Sequence, residues 1–474
     1  MSRVLLVDPT MPGALNQRPP SWMPLGLAYL AAQLRQGGHE VAIQNRLADQ
    51  LRGRLTLPAL DDLTRGLLRR YAPDIIGISG VTSSYGEIAA LVRLSREELP
   101  EATIVLGGPH ASAAPRPTLD RLPEADALFV GEAEMTLAGL ADGEPPSSLP
   151  GVLWRDAGGA IHDNAWQPPD WDLDALPLPA RDLLPVDWYV RHSRGGLRGS
   201  YQRNLSLLSS RGCRYRCAFC SEPAYTVRGV RAHSPQYTVA EAEALLDRYP
   251  VPVLAFMDEM FTSLRDRALE LADLWCQHGL HERVRFAVQA RSDALDRELV
   301  TALKRAGCYH VELGVESGSD RILQVMRKGL TVAQSRETAG LLRTAGIRFQ
   351  ANIVLGTPGE TEEELRASLA LVEELQPDAT SIVALLPLPG TAFVQQLVAE
   401  GRLAEDFWAV EDRDQAPPRR NFTAMSDERY AQVCLEARAL SRRINAASRA
   451  KDAPLWVRLG GGAKRGLRRL LERS

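Results

Sequence analysis

The chain has 474 residues, 45% of them hydrophobic and 24% charged, which is enough apolar surface for two or three cored domains and excludes a mostly disordered chain. Fifty-six basic residues against 59 acidic ones leave a net charge of −3, so no global basic field points to nucleic acid. Only Lys304, Lys328, Lys451 and Lys464 are lysines; the other basic residues are Arg, a bias that reads as genome composition.

Residues 1–140 alternate β-rich runs with amphipathic stretches. The runs 4–7, 41–44, 75–79, 103–106 and 127–130 predict five strands. Asp8 interrupts the first, which therefore reads as a strand and not as a signal peptide. Leu25, Ala28, Tyr29 and Ala32 fall at helical spacing, as do Ile88, Leu91, Val92 and Leu99. This alternation predicts an α/β fold whose first domain is a doubly wound, Rossmann-like parallel sheet. Ligands of such sheets sit beyond the strand carboxyl ends, here the loops 8–13, 80–85, 107–112 and 131–134. No G-x-G-x-x-G follows the first strand, which argues against a dinucleotide.

Residues 141–204 crowd Pro, Asp and Trp, with a predicted hairpin at 152–154 and 160–162 around Gly158-Gly159. The remainder of that stretch reads as an irregular linker. Residues 205–390 return to strand–helix alternation, with strands predicted at 205–208, 253–257, 285–288, 310–314, 349–355 and 381–385. Thr238/Glu241, Thr331/Gln334 and Thr361/Glu364 have capping-box spacing. Six strands, each opening a unit, predict a partial (β/α)6 barrel with its chemistry at the strand carboxyl ends. From 391 the pattern is helical, and it ends in a tail, 441–474, with ten Lys or Arg against Asp452 and Glu472. Phe393, Phe407, Trp408 and Phe422 in this last region could either line a pocket at the barrel mouth or form plain core. No apolar run approaches the roughly 20 residues of a membrane span, so the expected compartment is the cytoplasm and no integral membrane segment is expected.

No cysteine precedes Cys213, and then Cys213, Cys217 and Cys220 fall within eight residues, while Cys276, Cys308 and Cys434 are scattered. Three thiolates at this spacing can hold three irons of a cubane and leave the fourth iron without a protein ligand. A zinc site completed by His233 is the alternative, but zinc sites favour paired C-x2-C knuckles. Arg211, Arg214 and Arg216 are expected to offset the anionic cluster and lower the thiol pKa values.

These residues resemble the radical SAM superfamily, whose signature C-x3-C-x-aromatic-C is filled by Cys213, Cys217, Phe219 and Cys220. The resemblance implies a [4Fe–4S] cluster on the three cysteines that cleaves S-adenosyl-L-methionine (SAM) to a 5′-deoxyadenosyl radical. Later strand ends extend it. Phe256-Met257-Asp258-Glu259 stands where the family places an acidic group on the SAM amine. Glu312-Leu313-Gly314-Val315-Glu316-Ser317-Gly318-Ser319 looks like the ribose-contacting segment. Gly356-Thr357-Pro358-Gly359-Glu360 and Leu386-Pro387-Leu388-Pro389-Gly390 close the series.

The first domain in turn resembles the cobalamin-binding domains fused to such barrels, through Met23-Pro24-Leu25-Gly26-Leu27-Ala28-Tyr29, Val105-Leu106-Gly107-Gly108-Pro109-His110 and Val130-Gly131-Glu132-Ala133-Glu134. Asp8-Pro9-Thr10-Met11-Pro12-Gly13 aligns with the cobalamin motif D-x-H-x-x-G, with Thr10 in place of His. That departure implies base-off cobalamin with no protein His ligand. Ser79, Gly107 and Gly108 match positions that approach the nucleotide tail, where small residues let backbone come close.

By the same resemblance, Phe219 packs beside SAM, Asp258 or Glu259 takes its amine, and Glu316 and Ser317 bind the ribose or amino-acid part. Arg291 and Arg327 are candidates for the SAM carboxylate. The implied activity is a methyltransferase: one SAM methylates cobalamin, a second yields the radical, and an unactivated carbon of a small-molecule natural product receives the methyl group. An electron donor such as flavodoxin or ferredoxin is the implied partner. The alternatives are a cyclase, oxidase or ring-rearranging enzyme with the same cofactors, or a cofactor-binding sensor. Methylthiotransferases resemble the barrel but carry a second cluster on N-terminal cysteines, which this chain lacks before Cys213.

Overall fold

The computed structural model describes residues 1–16, 23–192, 203–224, 226 and 229–452, so the basic tail from 453 onward lies outside the described residues. Two parallel sheets organise the chain. In the first, β1 (Arg3–Asp8), β2 (Glu40–Asn45), β3 (Ile75–Ser79), β4 (Thr103–Gly107) and β5 (Ala127–Phe129) lie in the order β2-β1-β3-β4-β5. The strands are apolar on both faces because helices cover both. Leu5, Val7, Ile76, Ile78 and Leu106 share one core with Ile88 and Val92, and Val4, Leu6, Ile75 and Val105 share another with Leu27, Ala31 and Leu34. The predicted hairpin, β6 (Val152–Arg155) and β7 (Ile161–Asp163), does not stand alone in a linker. It adds two antiparallel strands to the β5 edge.

The second sheet starts with β8 (Asn204–Leu207). A two-stranded ribbon follows, β9 (Ser210–Arg211) paired with β10 (Arg231–Ala232), and it brackets the cysteine loop. Then come β11 (Val253–Phe256), β12 (Arg285–Arg291), β13 (Cys308–Glu316), β14 (Arg348–Leu355) and β15 (Ala379–Ala384), all parallel in the order β8-β11-β12-β13-β14-β15. β8 and β15 are the two ends, so the sheet is the expected partial barrel. The β15 edge is blunted by the helix Asp427–Asp452. Asn445 accepts from Thr380 N–H at 2.9 Å and donates to Thr380 C=O at 2.9 Å, satisfying backbone groups that an edge would otherwise expose.

Thr331 and Thr361 form the predicted capping boxes. Thr238/Glu241 does not. The helix Pro235–Arg248 begins earlier, with Ser234 accepting from Tyr237 N–H at 3.0 Å, and Glu241 turns inward to the Arg181 guanidinium at 2.5 Å. Ser-Pro is a helix start in its own right, because Pro at the first position has no N–H to leave unpaired.

The C-terminal region is helical only in part. Between the helices Ala392–Ala399 and Asp427–Asp452 an irregular segment crosses to the first domain. There Trp408 packs 5.0 Å from Tyr85 and 4.8 Å from His110, and Arg413 reaches Glu87 at 2.5 Å and Asp61 at 2.7 Å. Phe393, Phe407, Trp408 and Phe422 therefore belong to the core shared with the first sheet.

After β14 the Gly356–Glu360 turn closes on itself. The buried Glu360 carboxylate accepts from Gly356 N–H at 2.7 Å and Thr357 N–H at 3.0 Å. Burial still pushes its pKa up to about 7, from 4.5. A raised folded-state pKa means that this residue's contribution to stability is complete below about pH 4.5 and lost as pH rises through about 7. Glu360→Gln keeps an acceptor oxygen and removes the charge. The variant should match wild type in urea unfolding near pH 4.5 and be the more stable of the two above pH 7.

Candidate functional site

The carboxyl ends of β3, β4 and β5 face the loops that follow β8 and β11 across an open cleft. Its deep end runs under the helix Leu25–Gln36, between Leu27 and Leu30 on one side and Leu6, Gly77 and Val105 on the other. Two glycines keep it open, since a Cβ built on Gly26 or Gly107 meets nothing within 4 Å. Gly108 is required for a different reason: it has φ of 83°, and a Cβ there would collide with Ser79 Oγ. Ser79, Gly107 and Gly108 thus lie together on the cleft wall. A long ligand with an apolar end fits this slot, as the nucleotide tail of a corrinoid requires.

Asp8, Thr10 and Gly13 do not line the cleft. Thr10 is fully buried and donates from its hydroxyl to Gln50 Oε1. Burial raises Asp8 to about 7. The position aligned with a cobalt-binding His is therefore committed to an internal hydrogen bond.

The cysteine loop enters from the barrel side. Cys213, Cys217 and Cys220 are free and half-buried, and the loop is pinned at Ala218, whose N–H donates to Met326 C=O at 2.8 Å and whose C=O accepts from Phe393 N–H at 3.0 Å. Phe219 packs against the core beside them. Burial pushes all three thiols up, Cys220 to about 12. Loading a metal cluster onto them would therefore release protons.

The expected help from neighbouring arginines is corrected by the structure. Arg214 and Arg216 are exposed, and Arg211 turns to Glu132 at 2.6 Å and Glu134 at 2.8 Å. The cations that draw the Cys217 thiol down are Lys328 and Arg291. His233, the residue a zinc site would recruit, is buried against Tyr237 with Nδ1 3.1 Å from Asp174.

Asp258 and Glu259 follow β11 outside the strand, and the fold gives them different surroundings. Asp258 is fully buried and accepts from Ser209 N–H at 2.8 Å and the Ser209 and Ser210 hydroxyls at 2.7 and 2.5 Å, so it anchors the ribbon that carries the cysteines. Glu259 opens onto the cleft beside Glu222, and surrounding protein together with the Glu222 charge holds its pKa well above the usual carboxylate range. Ser317 is turned away, at 3.2 Å from Ser368 and accepting from Ser319 N–H at 3.1 Å. Glu316 sits near Cys217 but pairs with Lys328 at 2.7 Å.

Arg291 reaches Asp293 at 2.9 Å and Lys328 C=O at 2.5 Å, and its buried Nη1 has no partner. Arg327 is exposed. The sequence reading missed Lys328 and Glu222. Lys328 carried a signal in being one of only four lysines in an arginine-rich chain. Glu222, two residues past Cys220, carried none.

Two sheets, a three-cysteine loop and a slot between them define the class. The radical SAM superfamily matches residues 207–372 and the B12-binding domain matches residues 13–141, so the chain joins a radical SAM domain to a B12-binding domain. It is 28% identical over 411 residues to an uncharacterized methyltransferase of Pyrococcus horikoshii, covering 86% of this chain and 85% of that one. It is 27% identical over 405 residues to the anaerobic magnesium-protoporphyrin IX monomethyl ester cyclase of Cereibacter sphaeroides, covering 83% and 63%. The fold is similar to that of the radical SAM methyltransferase TsrM from Kitasatospora setae, solved with cobalamin and a [4Fe–4S] cluster bound. The TM-score is 0.67 at 21% identity, covering 84% of this chain and 78% of that one.

Gly107→Ala should keep the wild-type fold, because its Cβ meets no protein atom and enters only the cleft. Gly107→Phe should keep the far-UV circular dichroism of wild type and lose at least about tenfold in cobalamin affinity, or about 1.4 kcal/mol, measured by absorbance titration.

Proposed function

We propose that this chain is a cobalamin-dependent radical SAM methyltransferase that places a methyl group on a carbon of a small molecule. The observation that carries the reading is the single cleft walled by the Gly107-Gly108 cradle on one side and by Gly212, Glu222 and Glu259 of the cysteine-loop region on the other. When bound, the cluster with SAM supplies hydrogen-abstracting radical chemistry, and the corrinoid supplies a transferable methyl group.

The chain's own residues do the holding. Cys213, Cys217 and Cys220 bind three irons and offer no fourth sulfur. Glu259 faces the cleft as the acceptor for the SAM amine, and Asp258 supports it by fixing Ser209 and Ser210. Arg291 presents its unpartnered Nη1 to a carboxylate, and Phe219 shields the loop. Ser79, Gly107 and Gly108 would admit the corrinoid tail, and Thr10, spent on Gln50, would offer cobalt no ligand. Keeping reacting groups in one walled slot converts encounters into a positioned reaction and excludes water. Exposed Arg214 and Arg216 suit an acidic electron donor such as flavodoxin or ferredoxin. Among the described residues no helix is long and apolar enough to cross a membrane, and six unpaired cysteines suit the reducing cytoplasm.

A second reading, radical cyclisation without methyl transfer, is favoured by the name of the Cereibacter relative. Anaerobic reconstitution with iron, sulfide and cobalamin, followed by SAM and dithionite, separates the two. The proposal expects both 5′-deoxyadenosine and S-adenosylhomocysteine. Deoxyadenosine alone, with substrate consumed, supports the cyclase reading, and neither product from the loaded protein overturns both. Cys217→Ala should abolish deoxyadenosine formation while cobalamin still binds.

A further inference from the structure

The cysteine loop leans on one short segment, 326–328, at two points. Met326 C=O holds Ala218 N–H at 2.8 Å. Lys328 C=O holds Arg291 Nη2 at 2.5 Å, and that guanidinium lies 3.6 Å over the ring of Tyr215. The Lys328 ammonium turns inward to Glu316 Oε1 at 2.7 Å, and both residues are more than nine-tenths buried. A Cβ on Gly314 would come within 2.7 Å of that oxygen and 2.8 Å of the ammonium nitrogen, so the pair rests directly on the β13 backbone.

The strand is bent to deliver it. Pairing of β13 with β14 shifts register between Gly314 and Glu316, and Glu316 itself has φ of 65°, a left-handed conformation that costs energy for any residue but Gly. A buried ion pair is a poor device for stability, because desolvation offsets the attraction and apolar residues of equal volume do as well or better. A strained bulge that presents such a pair therefore asks for another purpose. Its position supplies one: the segment that carries Lys328 holds the cysteine loop at Ala218 and, through Arg291, at Tyr215, the residues on either side of Cys217, so both charges stand against that loop.

We propose that Lys328 and Glu316 set the reduction potential of the cluster held by the three cysteines. Lys328 favours the electron-rich state, Glu316 opposes it, and Arg291 keeps Lys328 in place. The inference rests on the function proposed above, specifically on cluster binding by Cys213, Cys217 and Cys220. One-electron reduction adds a negative charge, and at an effective dielectric constant of about 20 a unit charge about 12 Å away changes the reduced-to-oxidised ratio about tenfold, and a nearer one changes it more. For a one-electron couple that is about 59 mV.

The test is potentiometric titration of the reconstituted full-length protein, followed by the electron paramagnetic resonance signal of the reduced cluster. Lys328→Gln should lower the midpoint by about 59 mV, and Glu316→Gln should raise it by a similar amount. Lys328→Arg should stay near wild type, and the double variant should fall between the single ones. Simple loosening of the loop would move both single variants in one direction. Shifts of the same sign, or no shift in either variant at wild-type iron and sulfide content, would overturn the proposal. Wild-type protein that takes up no four-iron cluster refutes the cysteine assignment instead, and the inference falls with it.

Discussion

The arrangement depends on one buried charge cluster at the seam between the sheets. Arg211, on the ribbon that carries the cysteines, is held by Glu132 and Glu134 from the loop after β5, and Glu132 also takes Arg231 from the other ribbon strand at 2.8 Å. Arg231 in turn lies 4.4 Å over Trp171 and donates to its C=O at 2.6 Å. Removing one partner from such a cluster leaves a buried charge uncompensated, which typically costs about 3–5 kcal/mol. The pairing does more than join two domains, because it fixes the mouth of the cleft against the cysteine loop.

Other contacts reinforce this seam from behind. Ala218, inside the cysteine loop, is part of the same core as Ile78, Leu106, Trp408 and Phe393. The C-terminal segment thereby ties the first domain to the cluster loop, and Arg413 clips it between Asp61 and Glu87. Rigid support of this kind matches the chemistry, since a reactive intermediate must meet its target without a change of geometry.

Much of this was legible in the sequence. Both sheets showed as apolar runs because parallel strands are buried on two faces, and the cysteine spacing marked the loop proposed to hold the cluster. The glycines of the cradle were legible because a close backbone approach tolerates little else. What escaped depended on tertiary distance. The Arg211–Glu132 pair joins residues 79 apart, and the Lys328–Glu316 pair meets only because a bulge turns Glu316. Asp258 and Glu259 could not be told apart, since only the fold buries the first and leaves the second on the cleft. The false capping box at Thr238 shows a local pattern repeated one turn inside a helix whose real start was already marked by Ser234 and Pro235.

The central claim is that corrinoid and cluster share one cleft. The most direct measurement is pulsed electron paramagnetic resonance on protein loaded with both, with the cluster reduced and cobalt in its paramagnetic divalent state. A strong magnetic coupling between the two spins is the expected result. Two bound but magnetically independent centres would contradict the account.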